Sequence, residues 1–436
     1  MDTGGSSAAA GSASIHRGVV EAYADSGTLS NSELYQLVSQ RTGLGNEFDR
    51  RRPVGKSGQP RSTAKRAARW SQQSLKVAGL LEKCPGQRGM WRLTGKGQQQ
   101  LRRMNPGPVM LAFHHRLGVA VWADWKSGLK ALNETVSLLF TSPPYPLAPG
   151  HERSYGNPVR SEWVDFICSM VEAVLPKLDP RGHVCLQIGQ DQFEPNSPAR
   201  TILPERLVIA LHDRLGLHKL DTVVWSNPSK PPSPTLWACR NRVQLCTGHE
   251  LLLVFSPDPR ASKADNRRIL KPHTDQHLAL IRRGGEKRGA VTYSDGAYSL
   301  KEGSFGNVTA GTIPKNVWTV GHVCAGQRRY RQAAKDLRLP LHGAVMPERL
   351  AEQAIRWLTE EGDLVVDPAS GTGTTPAVCA RNDRRFYAID CMAEYLRGAA
   401  SRFDSTEVWI NPELDRIVGV TPDGELPLQH SPAMPQ

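Results

Sequence analysis

The chain has 436 residues, of which 39% are hydrophobic and 22% charged, enough for two or three domains with a substantial core. Its 55 basic and 42 acidic residues give a formal net charge of +13, which favours an anionic polymer as partner. No apolar run approaches 18 residues, and the Gly/Ala/Ser-rich start lacks a basic region, so neither a membrane span nor a secretion signal is expected.

The first structural signals come from composition. Residues 1–14 predict a disordered tail. The eight cysteines are scattered singly without a Cys-x-x-Cys pair, and the histidines are equally dispersed. This pattern predicts reduced core cysteines in a cytoplasmic protein, with neither a disulfide framework nor a metal site.

The positive charge is concentrated near the front, because residues 41–110 carry a net charge of +13 and the remainder is close to neutral. A cap at Ser30 and Glu33 precedes one predicted helix, and residues 50–61 have the composition of a basic loop. A hairpin is predicted at 86–94, and the predicted helices of this part are 18–23, 34–42, 63–78 and 96–103.

Three helices followed by a hairpin, over residues 15–105, resemble the winged helix found at the front of some restriction enzymes. In that arrangement the third helix enters a major groove and the hairpin touches phosphates. The alternative is a helical module whose charges are merely solvated or contact another protein. The candidate DNA-binding residues of this part are Arg61, Lys65, Arg66, Arg69 and Arg88.

A candidate catalytic turn follows the apolar run 136–140, which predicts a buried parallel strand. The turn is Ser142-Pro143-Pro144-Tyr145, and active sites of open α/β sheets lie at the carboxyl ends of strands. Two prolines fix their own φ angles, which leaves a hydroxyl and carbonyls as rigid acceptors beside an aromatic ring. Such a site suits the exocyclic amino group of a planar base that stacks on Tyr145.

Downstream of this turn, strands alternate with helices, which predicts a mostly parallel sheet covered on both faces. A polar stretch at 150–156 predicts a lid, and residues 227–243 a loop. Residues 257–315 are polar and basic and interrupt the alternation. The predicted helices are 162–178 and 204–215, and the predicted strands are 183–188, 220–225 and 251–255.

A candidate cofactor turn joins a short strand ending at Asp367 to a helix from about Pro376. Gly371 and Gly373 let the backbone turn sharply and approach a ligand, with a spacing that fits neither a dinucleotide motif nor a P-loop. Asp367 suits a cationic amino group such as that of S-adenosylmethionine. Asp390 ends the next strand, 385–390, where a carboxylate can accept from ribose hydroxyls.

Residues 115–405 resemble the β class of amino-group DNA methyltransferases, in which the catalytic motif precedes the cofactor motif. Further matches are His249-Glu250, 316–318 and 342–347, and a leading serine such as Ser142 is typical of enzymes that methylate N4 of cytosine. The chain differs from the family pattern at Met346, Ala369 and Asp390.

The resemblance implies a Rossmann-like α/β methyltransferase domain at 106–415, with a mixed, mostly parallel sheet, between the winged helix and a tail at 416–436. In this class the target-recognition region corresponds to 257–315, with candidate residues Arg267, Arg268, Arg282 and Arg283; a solvated insertion is the alternative. S-adenosyl-L-methionine is the implied cofactor, with candidate residues Thr141, Met346, Asp367, Pro368, Ala369, Gly371, Gly373, Thr374 and Asp390.

The resulting hypothesis is transfer of a methyl group to N4 of cytosine in double-stranded DNA, by base flipping and direct displacement without a metal. Ser142 and the Pro143 carbonyl accept from the amino group, Pro144 holds the turn and Tyr145 stacks on the base. Alternatives are N6 of adenine, an RNA or protein substrate, and a DNA-binding regulator with a degenerate methyltransferase fold. A partner restriction endonuclease and a homodimer, which the resemblance implies, stay open.

Overall fold

The computed structural model describes residues 15, 18–19, 22–23, 26–54, 59–77, 80–94, 109–146, 160–190, 192–194, 196–287, 291–293 and 298–420. Four predicted features lie outside them: the tail 1–14, the helix 96–103, the lid 150–156 and most of the tail 416–436.

The N-terminal part is a small helical unit closed by a three-stranded sheet. The sheet has the order β1-β5-β4, and a separate two-stranded ribbon pairs β2 with β3. Its helices are Asn31–Thr42, Gly45–Asp49 and Thr63–Val77, and the described residues between 15 and 23 are also helical. The strands are β1 (Thr28–Ser30), β2 (Arg52–Val54), β3 (Gln59–Arg61), β4 (Leu81–Lys83) and β5 (Met90–Leu93).

Local sequence explains these elements. Ser30 and Glu33 form the predicted capping box of the helix Asn31–Thr42, since each side chain accepts from the other's backbone amide. The helix Thr63–Val77 buries Ala64, Ala68 and Leu75, which lie on one face. The prediction of a loop at 50–61 was wrong, because the strands β2 and β3 pair there as an antiparallel ribbon.

The catalytic part is built on one ten-stranded sheet of order β14-β10-β11-β9-β8-β15-β16-β7-β6-β17. Only β6 and β11 run against the other eight, so the predicted mixed, mostly parallel sheet is confirmed. The strands are β6 (Met110–His115), β7 (Gly118–Trp122), β8 (Val136–Thr141), β9 (Leu178–Ile188), β10 (His218–Ser226), β11 (His249–Ser256), β14 (Val317–Thr319), β15 (Leu364–Asp367), β16 (Arg385–Asp390) and β17 (Val408–Ile410), while β12 (Val291–Tyr293) and β13 (Tyr298–Leu300) form a separate hairpin.

Helices cover both faces of this sheet, and each face has its own apolar core. The helix predicted at 162–178 ends at Glu172, before β9. Residues Pro412–Val418 form a helix that buries Leu414, so the first three residues of the predicted tail 416–436 are helical. The helices are Trp125–Ala131, Trp163–Glu172, Leu203–Asp213, Asp275–Arg282, Ala325–Asp336, Glu348–Leu358, Thr374–Arg381, Ala393–Ala399 and Pro412–Val418.

The sheet brings the two predicted motifs together. Strands β8 and β15 are parallel neighbours, with Leu138 opposite Val365 and Leu139 opposite Val366. Their carboxyl ends, which lead into Ser142 and Pro368, therefore lie at one edge, about 4.8 Å apart in the strand spacing. We call this the catalytic edge. Over the described part of the chain, every helix is too short or too polar to cross a bilayer.

Candidate active site

The catalytic turn opens into a cleft of about 290 Å³ at the catalytic edge. Polar side chains from five strand ends or adjoining loops converge on it, together with apolar groups from the segment before the helix Glu348–Leu358. Its lining includes Ser142, Tyr145, Gln187, Gln190, Trp225, Lys230, Glu250, His322 and Met346.

Gln187, from the end of β9, holds both polar side chains of the turn. The Ser142 hydroxyl donates to Gln187 Oε1 at 2.5 Å, and the Tyr145 hydroxyl donates to the Gln187 main-chain carbonyl at 2.9 Å. Since Ser142 donates its only hydroxyl proton to Gln187, its oxygen can act toward a substrate only as a hydrogen-bond acceptor.

Glu250 and Lys230 fix the orientation of the Gln187 amide. Gln187 Nε2 donates to Glu250 Oε2, and Lys230 Nζ lies 3.1 Å from Glu250 Oε1. A carboxylate paired with a lysine only accepts, so the amide must turn its NH₂ group toward Glu250 and its carbonyl toward Ser142. The chain Lys230–Glu250–Gln187 thus sets Ser142 as an acceptor.

The remaining atoms of the turn are also anchored. Trp163, fully buried, donates its indole N–H to the Pro144 carbonyl at 2.9 Å, which anchors the second proline of the turn. A Cβ at Gly189 would meet the Tyr145 ring at 3.6 Å, so this glycine packs closely against the ring. Across the cleft, Trp225 and His322 stack with centroids 6.3 Å apart, and burial lowers the pKa of His322.

The cofactor turn has the backbone that its glycines require. Gly371 and Gly373 have φ angles of 52° and 72°, in the left-handed region that glycine adopts most easily. The Gly371 amide donates to Asp390 Oδ2 at 2.6 Å, and the Met392 amide to Asp390 Oδ1 at 2.8 Å. Asp390 therefore ties the turn to the end of β16.

Asp367 is engaged inside the turn itself. Its Oδ2 accepts from the Thr375 hydroxyl at 2.5 Å and its Oδ1 from the Ala369 amide at 3.2 Å, while its side chain is buried. Burial raises the pKa of Asp367 and that of Asp390 to about 6. The role of Asp367 toward an amino group stays a prediction.

Met346 links the two halves of the site. It lines the cleft, and its carbonyl accepts from the Thr374 hydroxyl at 3.3 Å. Behind the turn, Arg402, with a fully buried side chain, donates to the Thr372 carbonyl at 2.6 Å and pairs with Glu348 at 2.8 Å. The glycine turn therefore has a rigid support.

Sequence reasoning did not assign site roles to Gln187, Glu250, Lys230, Arg402 or Glu348. The signal available for Gln187 was its position in an apolar strand, one residue before the strand ends. A buried polar side chain at such a position usually has a hydrogen-bond partner. Glu250 appeared only as part of a family match, and the other three residues give no pattern in the sequence.

The N-terminal candidates lie on or near the helix Thr63–Val77. Arg66 and Arg69 are exposed on its outer face, and Arg69 Nε donates to the Tyr35 hydroxyl at 2.8 Å. Lys65 is 3.7 Å from Asp49 Oδ1. Arg61 is exposed at the end of β3, and Arg88 is exposed in the turn between β4 and β5.

The candidates of residues 257–315 divide into two groups. Arg268 donates to the carbonyls of Lys263 and Thr359 and pairs with Glu360 at 2.9 Å, at the amino end of β15 and opposite the catalytic edge. Arg267, 83% exposed, pairs with Asp265 there. We therefore assign Arg268 to packing. Arg282 and Arg283 are exposed where the helix Asp275–Arg282 ends.

Comparison with known proteins identifies the family and the fold of the chain. A family model described as DNA methylase matches residues 136–401, more than half of the chain, and one described as Mrr N-terminal domain matches residues 13–103. The type II methyltransferase M.PvuII of Proteus hauseri is 31% identical over 62% of this chain and 79% of its own length. M.HpaI of Haemophilus parainfluenzae is 24% identical over 64% and 71%.

A solved structure, the cytosine-N4-specific PvuII DNA methyltransferase, has a TM-score of 0.54 and 26% identity, over 74% of this chain and 98% of that one. The left-handed glycine turn, Asp390 at the neighbouring strand end and Met346 on the cleft fit S-adenosylmethionine, the cofactor of this family. The chain belongs to the DNA methylase family and is an S-adenosylmethionine-dependent methyltransferase.

Proposed function

We propose that this enzyme methylates the N4 amino group of cytosine in duplex DNA. The observation that supports methylation of an exocyclic amino group is the orientation of Ser142, whose proton is donated to Gln187 and whose lone pairs are left for that group. M.PvuII and the PvuII structure, a cytosine-N4-specific enzyme, lend support from relatives.

The residues of the turn act by position and electrostatics. Ser142 and the Pro143 carbonyl accept the two N–H bonds of the amino group, which localises the nitrogen lone pair and makes it a better nucleophile. Tyr145, held through its hydroxyl, stacks on a base flipped out of the duplex. Bound S-adenosylmethionine supplies an electrophilic methyl group. Fixed acceptors of this kind need no reorganisation during the reaction.

Gln187 also leaves the catalytic turn without a base that could accept the proton lost by the amino group. An amide oxygen is a weak base, and Ser142 already donates to it. The side chains of this turn therefore polarise the amino group without removing its proton, which passes to water. The half-buried carboxylate of Glu250 contacts Gln187 instead of Ser142.

The cofactor residues would hold S-adenosylmethionine at the glycine turn. Asp390 lies where ribose hydroxyls are bound in folds of this kind, and the left-handed glycines let the backbone approach the ligand closely. Met346 faces the cleft from the other side. We expect the methionine part to lie between the turn and Ser142.

The N-terminal unit would add a second DNA contact. Arg66 and Arg69 share the outer face of the helix Thr63–Val77 with Trp70, which is 65% exposed, and Gln73. Spacings of three and four residues place these side chains in one row, as on a helix that enters a major groove. Arginines would hold phosphates there, with Trp70 and Gln73 toward base edges.

Nucleoside mass spectrometry tests the proposal. DNA of diverse sequence is incubated with the full chain and S-adenosylmethionine, then digested to nucleosides. N4-methylcytosine is the expected product. N6-methyladenine would leave the proposed reaction in place and change the methylated base to adenine. If no methylated nucleoside forms although the cofactor binds, the proposal that DNA alone is a sufficient substrate is contradicted.

A further inference from the structure

The segment between β10 and β11, residues 227–248, forms a closed finger at the catalytic edge. Its ends are held by the pairing of Ser226 with His249. Its neck is closed by two backbone hydrogen bonds, from Asn227 to Gly248 at 2.9 Å and from Thr247 to Ser233 at 2.7 Å. Residues 234–246 therefore project as a unit, and they contain the π-helical turn Thr235–Arg240.

The finger forms part of the rim of the cleft. Lys230, near its base, lines the cleft and pairs with Glu250. On the other side, Arg200 donates to Thr247 Oγ1 at 2.7 Å and to the carbonyl of the cleft residue Gln190 at 2.6 Å. The base of the finger therefore lies directly beside the cleft.

The chemistry of the finger is basic and apolar. Between residues 227 and 248 there are three basic residues and no Asp or Glu. Arg240 and Arg242 are exposed, and so are three apolar side chains in the projecting part. These are Leu236, 48% exposed, Val243, 63% exposed, and Leu245, 89% exposed.

We propose that the finger contacts duplex DNA beside the base to be methylated. Arg240 and Arg242 bind phosphates, and Leu245 packs against the bases that border the displaced nucleotide. Guanidinium groups bind phosphate through paired hydrogen bonds, and exposed apolar side chains fill gaps in an opened base stack. The inference rests on the proposed function in one respect, that the cleft receives a base.

The alternative occupant of the apolar tip is a second copy of this chain. The uniform positive charge and the position at the rim of the cleft favour DNA, because phosphates supply the complementary charge there. The segment 257–315 is less well placed. Its first part is anchored at the opposite edge, where Lys263, with a nearly fully buried side chain, lies 2.9 Å from Asp363 Oδ1 and 3.3 Å from Asp179 Oδ2.

Arginine footprinting of the full chain gives a test that needs no turnover. Phenylglyoxal modification is read by peptide mass spectrometry with and without a duplex of mixed sequence. Protection of Arg240 and Arg242 is expected, while Arg267, exposed on the opposite edge, stays equally reactive. Protection of Arg267 with no change at Arg240 and Arg242 would overturn the proposal.

Matched variants supply the second arm. R240Q/R242Q should raise the KM for DNA about tenfold and reduce the salt dependence of DNA binding by about two phosphate contacts, with R267Q as control and cofactor affinity unchanged. L245S should raise the KM for DNA without altering the oligomeric state. A changed oligomeric state with an unchanged KM assigns the tip to a second copy and refutes the DNA contact.

The identity of the methylated nucleoside is scored separately. Methylation of adenine would contradict the proposed N4-cytosine substrate, but it would not affect the expected protection of Arg240 and Arg242 by DNA. Conversely, N4-methylcytosine formed by a chain whose finger arginines are unprotected and whose R240Q/R242Q variant has the wild-type KM would retain the function and reject the finger.

Discussion

Gln187 Oε1 lies 2.5 Å from Ser142 Oγ, although 45 residues separate the two in the chain. The parallel pairing of β8 with β9 places Thr141 opposite Leu186. The residues that follow these two, Ser142 and Gln187, therefore lie side by side. The contact decides what Ser142 can do, because a hydroxyl that has donated its proton can only accept from a substrate.

The first prediction concerns Ser142 itself. Ser142→Ala removes one oriented acceptor and should lower kcat about 100-fold, a typical cost for one preorganised polar group, while the cofactor dissociation constant stays unchanged. Single-turnover methyl transfer and calorimetric titration of the cofactor measure the two quantities. A variant with full turnover would refute the role given to Ser142.

The second prediction concerns Glu250 as a positioning residue. Glu250→Gln no longer forces the Gln187 amide to face Ser142 with its carbonyl, so kcat should fall about tenfold with little change in KM. In the Ser142→Ala background the same substitution should add nothing, since both act through one hydroxyl. Additive losses in this double-mutant cycle would show that Glu250 serves the fold and not Ser142.

The third prediction is a pH dependence of cofactor binding. Because burial raises the pKa of Asp390 and of Asp367 to about 6, both carboxyls take up protons as the pH falls through that value. A protonated carboxyl accepts poorly from ribose hydroxyls, so cofactor affinity should fall below about pH 6. Calorimetry between pH 5 and 8 measures it, and Asp390→Asn should flatten the profile at a weaker affinity.

The same raised pKa values affect the stability of the protein without cofactor. The native state binds more protons than the unfolded chain between about pH 4, the ordinary range of a carboxyl, and pH 6. The free energy of unfolding should therefore fall as the pH rises through this window. Denaturant titrations of wild type and Asp390→Asn check the sign through the difference between their slopes, and a difference of the opposite sign would argue against a raised pKa of Asp390.

The fourth prediction compares the two glycines of the cofactor turn. Both have positive φ, but a Cβ at Gly373 would lie 2.6 Å from Ala399 Cβ, whereas at Gly371 the first neighbour is His342 Nε2 at 3.5 Å. Gly373→Ala should therefore lose more unfolding free energy than Gly371→Ala, which carries only the left-handed strain of about 1–2 kcal/mol. Thermal denaturation ranks them; equal losses would contradict the steric argument.

The fifth prediction addresses the N-terminal unit. Replacing Arg66 and Arg69 by Gln in the full chain should reduce the slope of log affinity against log salt by about two phosphate contacts. Arg416, 77% exposed in the C-terminal helix and paired with Glu413, provides the control substitution. A slope unchanged by the paired substitution would remove this helix from the DNA interface.

The strand Val136–Thr141, the proline turn after it and the glycine turn before the helix Thr374–Arg381 could all be predicted from sequence. Each depends on short-range physics: a mostly apolar run, two fixed proline φ angles, and glycines in the left-handed region. The ribbon of β2 and β3 was missed, because its charged, proline-containing strands have no apolar alternation that would distinguish them from a loop.

By itself the sequence determined most of the local elements and the family to which the chain belongs. Only the tertiary structure decided that Lys230, Glu250 and Gln187 line up behind Ser142, and that Arg268 lies opposite the catalytic edge. The reason is that these relationships depend on strand order and register, which join residues up to about a hundred positions apart and leave no periodic signal in the chain.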